Sequence, residues 1–241
     1  MSLLVQPRRP TREWLDEPAL VPISEVRQNL EDLRAVHTWG GTRALERHLS
    51  ARIRALGASG RPLRILDVGA GSGDLAGRLQ RGLRRRGHRA SVVALDLRWR
   101  HLLTGRAMAS SSRARTPAAA AVAADAFRLP FADAAFDLAF STLFFHHFSP
   151  EENARMLASF ARIARHGFAV LDLRRHVLPM AVVSVAGRLF FQTRVSVCDG
   201  VASVKQAYTP DEARRIAGGA VAGARVDAVF PFRFLVSAPG A

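Results

Sequence analysis

The sequence predicts one α/β domain, with helices on both faces of a mostly parallel sheet that ends in an antiparallel hairpin. Three observations lead there. Short apolar runs alternate with helix-forming stretches from Leu63 onward, the pattern of a parallel sheet covered on both sides. The first run, Leu63–Val68, enters a glycine cluster at Gly69–Gly73, as a buried strand enters a tight turn. The last two runs, Ala224–Phe230 and Phe232–Ala238, are separated by Pro231 alone. A parallel crossover needs about a dozen residues, so these two must be antiparallel neighbours.

The elements follow in order. Residues 1–20 are rich in Pro, Arg and acid without an apolar period and read as an arm. Val26, Leu30, Leu33 and Val36, then Leu45, Leu49, Ile53 and Leu56, recur at helical spacing, with Gly40–Gly41 dividing two amphipathic helices. Residues 1–60 are thus expected to form a cap, and residues 61–241 the main domain. Within it, Asp74–Arg86 reads as a helix that stops at Gly87. Ser91–Leu95 is a second strand ending at Asp96, followed by a helix from Trp99 to about Ala109. Pro117–Ala124 is a third strand ending at Asp125, and Phe136–Ser141 a fourth. Ser149-Pro150-Glu151-Glu152 is a capping box with proline at the first helical position, opening a helix to Arg165. Phe168–Leu173 is the fifth strand. Thr209-Pro210-Asp211-Glu212 repeats the capping device. Residues 176–207 are an insertion with an apolar first half, placed like a lid.

Composition bounds the function. A chain of 241 residues with 49% hydrophobic and 23% charged residues can bury a full core. The longest apolar stretch, Val177–Gly187, falls short of the about 18 residues that span a bilayer, and the N-terminus does not read as a secretory signal. A cytoplasmic protein is expected. Cys198 is the sole cysteine, so neither a disulfide nor a cysteine-rich metal site is expected, and no metal is assigned. The net charge of +15 comes from arginines spread from Arg8 to Arg233, with Lys205 the only lysine. Arginine without lysine, beside abundant alanine, is what a GC-rich coding sequence produces. The dense run Arg84–Arg86 therefore reads first as a solvated helix face, and a nucleic-acid contact second.

The segment Ile65–Ala76 places Asp67, Gly69, Gly71 and Gly73 on the turn from first strand to first helix. Glycines at such a turn adopt positive φ and expose bare backbone to a ligand. Nicotinamide enzymes use a related loop, but their pattern needs glycine where Asp74 stands, and no Gly-Lys-Ser/Thr marks a phosphate loop. Asp96 ends the second strand 23 residues after Gly73, where a carboxylate can accept both hydroxyls of a ribose, and Asp125 ends the third. Each acid alone might cap a turn. Three acids at three strand ends face one crevice.

This pattern resembles the class I S-adenosylmethionine-dependent methyltransferases, over about Leu63–Ala238. It rests on LDVGAGSG, on the acid in VVALD, on AADAFRLPF and on FDLAFSTLFFHHF. The resemblance implies a Rossmann-like seven-stranded sheet of order 3-2-1-4-5-7-6 with one antiparallel strand. It also implies S-adenosylmethionine bound by Asp67, Gly69, Ala70, Gly71 and Gly73, by Asp96 and Leu97 at the ribose, by Asp125 and Ala126 at the adenine, and by Ser141.

The sulfonium is already activated, so alignment with an acceptor does most of the chemistry, and a base helps only if the acceptor must lose a proton. His146 and His147 follow the fourth strand, where the family places its acceptor, and are the candidate catalytic residues; packing or capping of the turn is the alternative. Asp172 either faces the crevice or is a buried hydrogen-bonded acid. Ser141-Thr142-Leu143-Phe144 lacks the Asn/Asp-Pro-Pro run of amino-methylating nucleic-acid enzymes. Phe144, Phe145 and Phe148, with Phe190 and Phe191 of the insertion, suit an aromatic or apolar acceptor. Trp39-Gly40-Gly41 and Leu171–Arg175 resemble the branch acting on quinones and polyketide phenols. A small-molecule methyltransferase is thus expected ahead of an RNA or protein methyltransferase, with a binding module that merely kept the fold third.

Overall fold

The computed structural model describes residues 5–11, 13–16, 21–37, 42–57, 61–110 and 119–240. Its sheet has seven strands in the order β3-β2-β1-β4-β5-β7-β6. β1 (Leu63–Val68), β2 (Ala90–Asp96), β3 (Ala120–Ala123), β4 (Leu138–Thr142) and β5 (Phe168–Leu173) run parallel. β7 (Arg233–Ala238) runs antiparallel to both β5 and β6 (Arg225–Val229), as the short Pro231 connection requires. β4 starts two residues later than its apolar run, because Phe136 only bridges Ala164.

Strand pleating sorts the core into two layers. Leu66 and Val68 of β1 face Met156, Leu157, Phe160 and Ile163 of α5 (Pro150–Ile163) and Ala213 of α8 (Pro210–Ala220). Leu63 and Ile65 face the other way. There they meet Leu45, Leu49 and Ile53 of α2 (Arg43–Gly57), Leu75, Leu79 and Leu83 of α3 (Asp74–Arg85), and Leu102 of α4 (Trp99–Ser110). Both capping boxes form: Ser149 and Glu152 close the start of α5, and Thr209 and Glu212 that of α8.

Residues 176–207 form two helices, α6 (Val177–Phe190) and α7 (Arg194–Gln206). They pack closely because Gly200 leaves room for Val183; a Cβ at Gly200 would stand 2.9 Å from the Val183 Cγ1. α1 (Ile23–Val36) reaches the glycine loop through Leu30, whose Cδ2 lies 3.9 Å from where a Gly71 Cβ would be. It is tied near its C-terminal end on two sides, by Arg34 to Asp74 at 3.2 Å and by the Asp32 carboxylate to the Gln192 N–H. Trp39-Gly40-Gly41 and most of the loop before β3 lie outside the described residues. Among the described residues no helix is long and apolar enough to cross a membrane.

One contact gives a direct test of how the glycine loop is supported. A Cβ at Gly105 of α4 would stand 1.9 Å from the Ser72 carbonyl oxygen, which is backbone and cannot yield, whereas nothing lies within 4 Å of a Cβ at Gly82 of α3. Gly105→Ala is expected to destabilise the fold by about 1–3 kcal/mol, and Gly82→Ala to stabilise it by about 0.5–1 kcal/mol. Thermal unfolding of the two variants checks this; equal midpoints would show that the loop gives way.

Candidate active site

The crevice lies beyond the carboxyl ends of β1, β2 and β3. Gly69, Gly71 and Gly73 have φ of 69°, 54° and 68°, a left-handed conformation that costs little only for glycine. Two further bonds set the loop: the Ala70 N–H donates to the Leu95 carbonyl, and the Gly73 N–H to the Ala70 carbonyl. The glycines divide the work differently from the sequence expectation. A Cβ at Gly69 would meet the Phe144 ring at 2.5 Å, so this glycine admits a ring of the protein itself. Gly71 is the one whose bare backbone stays open.

Asp96 joins the loop to β2. Its Oδ2 accepts from the Gly71 N–H at 2.7 Å and its Oδ1 from the Arg98 N–H at 2.8 Å. A carboxylate offers about four acceptor sites, so such an acid can hold the loop and also accept a hydroxyl. Asp125 Oδ1 accepts from the Phe127 N–H at 2.9 Å, holding the turn after β3. Ala126 is buried beside it, and Leu97 is 68% exposed at the mouth.

Asp67 is different. It is 1% exposed, and neither carboxylate oxygen has a hydrogen-bond partner among the described residues. Burial first, and the charge of Asp96 second, push its carboxyl well above the usual range. An orphaned buried acid beneath open glycine backbone fits a ligand that brings a cation, such as the ammonium of a methionine moiety, with ribose hydroxyls reaching Asp96. Ser141 does not reach the crevice with its hydroxyl: Oγ donates to the Val68 carbonyl at 2.7 Å within the core.

Beside the crevice, the chain leaves β4 through Leu143, at φ 52°, into a single 3-10 turn over Phe145–His147. Aromatic rings wall this side. Phe127 meets Phe148 edge-on at 4.9 Å, Phe148 meets Phe144 at 4.7 Å, and His147 lies 6.2 Å beyond Phe144. Asp172 of β5 anchors the turn, accepting from the His146 backbone N–H at 3.0 Å and sitting 2.7 Å from its Nδ1. Of the two readings of Asp172, the buried hydrogen-bonded acid is the observed one.

His146 is 2% exposed and stacks on His147 with centroids 4.4 Å apart. Its Nε2 lies 3.3 Å from Glu13 Oε1 but makes no hydrogen bond. Glu13 Oε2 is 3.8 Å from His147 Nε2. Burial alone would depress the His146 pKa; Asp172, then Glu13, override it and raise it to about 10. The two carboxylates thus favour the protonated imidazole over the neutral one. His147, with a side chain 20% exposed, is the member of the pair that borders the open space.

Glu13 was invisible in the sequence. It belongs to the N-terminal arm, and the arm is sewn down residue by residue. Arg8 donates to the carbonyls of His146, Phe148 and Gln206. The Trp14 and Leu15 N–H groups donate to the Asp199 carboxylate. Ser203 Oγ and Gln206 Nε2 donate to Glu13 Oε1 at 2.5 and 2.8 Å. α7 therefore covers the histidine turn through the arm. The expectation that Phe190 and Phe191 meet the acceptor is corrected: Phe190 is 61% exposed, and Phe191 packs against Gly187 where α6 turns toward α7. The apolar half of the insertion faces outward and inter-helix, not into the crevice.

A seven-stranded sheet with its last-placed pair reversed, and acids at the ends of β1 and β2 around an open glycine loop, define a Rossmann-like domain built for an adenosyl ligand. Residues 65–167 match the family model of a methyltransferase domain. The chain carries an S-adenosylmethionine-dependent methyltransferase domain over these residues, in a sheet with the class I strand order. No curated protein matches it in sequence. Among solved structures, the plantazolicin methyltransferase BpumL in complex with SAH is similar at 13% identity and TM-score 0.63, over 95% of this chain and 93% of that one. Magnesium protoporphyrin IX methyltransferase from Synechocystis PCC 6803 is similar at 18% identity and TM-score 0.53, over 88% and 86%. A SAM-dependent methyltransferase from Aquifex aeolicus is similar at 20% identity and TM-score 0.53, over 74% and 82%. Likeness at this level speaks to the fold.

Proposed function

We propose that the chain methylates a small aromatic or apolar acceptor, of the phenolic polyketide or quinone type, by direct in-line displacement. The observation that carries this is the aromatic wall of Phe127, Phe148 and Phe144, which runs from the Asp125 turn to Gly69 and ends at His147. Two of the similar structures are methyltransferases named for small-molecule substrates, a porphyrin and plantazolicin, which supports the reading. S-adenosylmethionine supplies an activated methyl carbon. The protein's share is placement: Asp67, Gly69, Ala70, Gly71, Gly73 and Ser141 shape the methionine end, Asp96 and Leu97 the ribose, Asp125 and Ala126 the adenine. Ser141 acts from behind, through β1. Phe144 and Phe148 seat an acceptor ring and exclude water, which such alignment requires. His146, fixed by Asp172, holds the turn in register so that His147 borders the acceptor.

The test is a transfer assay with labelled methyl donor against phenolic lipids, quinols and bulk RNA. Label is expected in the phenolic or quinol fraction. Phe144→Ala is expected to raise the acceptor KM about tenfold or more, since burying an aromatic ring is worth roughly 1.5–3 kcal/mol. Label in RNA alone, lost on neutralising the exposed Arg84–Arg86, would replace this acceptor class with nucleic acid.

A further inference from the structure

We propose that Glu13, His146 and His147 form a binding site for one divalent transition-metal ion of the Zn2+ type. Only the corollary that its open position faces the acceptor rests on the function proposed above. Two imidazoles and one carboxylate are a donor set that zinc accepts with a further position left for water or substrate. One ligand atom from each residue lies within 4.8 Å of the others, and His146 Nε2 and Glu13 Oε1 are already 3.3 Å apart. Ligands at about 2.0–2.2 Å around a tetrahedral ion stand roughly 3.3–3.5 Å from one another, so side-chain rotations on the order of 1 Å close the set.

Three features favour a metal over a mere ion pair. His146 Nε2 is buried, makes no hydrogen bond and is aimed at Glu13; a bound metal takes the place of the proton on this nitrogen, which is released to solvent, so binding strengthens as pH rises. The opposite ring nitrogen, Nδ1, is held by Asp172 at 2.7 Å, the carboxylate–histidine arrangement that orients a metal ligand and strengthens it. Ser203 and Gln206 hold Glu13 through Oε1, which leaves Oε2, 3.8 Å from His147 Nε2, as the oxygen offered to a metal. Two carboxylates therefore flank one buried imidazole, which gives a divalent cation a favourable field. The cationic groups near this cluster point elsewhere: Arg8 donates to backbone carbonyls, and Arg233 lies on the β7 side of Asp172. No spacing rule reveals such a site, because Glu13 belongs to the N-terminal arm and His146 to the turn after β4, far apart along the chain.

The experiment uses the full chain without a histidine tag, stripped by chelator and titrated with Zn2+ by calorimetry, and with Co2+ by absorption. One equivalent is expected to bind, and Co2+ to show the visible bands of a low-coordinate mixed nitrogen–oxygen site. Glu13→Gln, and His147→Ala at the half-buried ring, are each expected to weaken binding at least tenfold while circular dichroism confirms the fold. Asp96→Ala is expected to lose S-adenosylmethionine affinity yet bind metal as the parent does, which separates this site from the crevice. Absence of saturable binding, or equal affinity in Glu13→Gln and His147→Ala, would overturn the proposal.

Discussion

Asp172→Ala is expected to lower the unfolding free energy by about 3–5 kcal/mol, the cost of stranding one member of a buried ion pair. Asp172 is fully buried and accepts from the His146 N–H and the Leu173 N–H while facing the His146 ring. Burial works to raise its pKa, and His146 and these N–H groups more than offset that and hold it below the usual value. Without it the imidazolium sits in the core beside Glu13 alone, and the turn that carries Phe144 and His147 loses its anchor on β5. Urea unfolding measures the loss. The surface pair Arg27–Glu31, with side chains 60% and 34% exposed, is the internal contrast: breaking it is expected to cost no more than about 0.5 kcal/mol. Similar losses at the two sites would show that Asp172 does not anchor the turn.

The second large effect is on the cofactor. Asp96→Ala is expected to weaken S-adenosylmethionine binding by roughly 1.5–3 kcal/mol, the value of charge-assisted hydrogen bonds, or about 10- to 150-fold. Part of that loss comes through the loop, because Asp96 also holds the Gly71 N–H. Asp67→Asn separates binding from stability. The native carboxyl is buried without hydrogen-bond partners among the described residues, so the amide is expected to leave the cofactor-free protein as stable as before or more so, yet to weaken the cofactor at least tenfold. The pH dependence follows the sign of the shift. With its folded pKa raised, Asp67 favours the cofactor-free fold most below the ordinary carboxylate range, and that contribution is lost as pH rises through the raised value. A bound ammonium favours the ionised form, so cofactor affinity is expected to increase with pH across the same window.

The parts of the site that sequence made legible are those encoded by local spacing. Three glycines with left-handed φ, acids at the strand ends and two capping boxes each have a short-range physical cause, and each is where the residues placed it. The sheet order followed from the resemblance, and the reversed strand from the length of one connection. What failed to show was tertiary. Nothing in a proline- and arginine-rich arm distinguishes Glu13 from its solvated neighbours, since its partners Ser203 and Gln206 sit on a helix near the other end of the chain. Phe190 illustrates the converse: an apolar residue in a lid-like insertion has no local mark saying which way its helix is turned. Gly69 and Ser141 show that a motif position can be required by the protein's own packing, against Phe144 in one case and the Val68 carbonyl in the other.

The central claim is that the crevice over β1, β2 and β3 holds S-adenosylmethionine. Calorimetric titration of the cofactor into the parent chain and into Asp96→Ala tests it most directly. One site per chain is predicted for the parent, with at least tenfold weaker binding in a variant whose unfolding midpoint is little changed. Equal affinity in the two proteins, or no saturable heat with the parent, would contradict the assignment of the crevice.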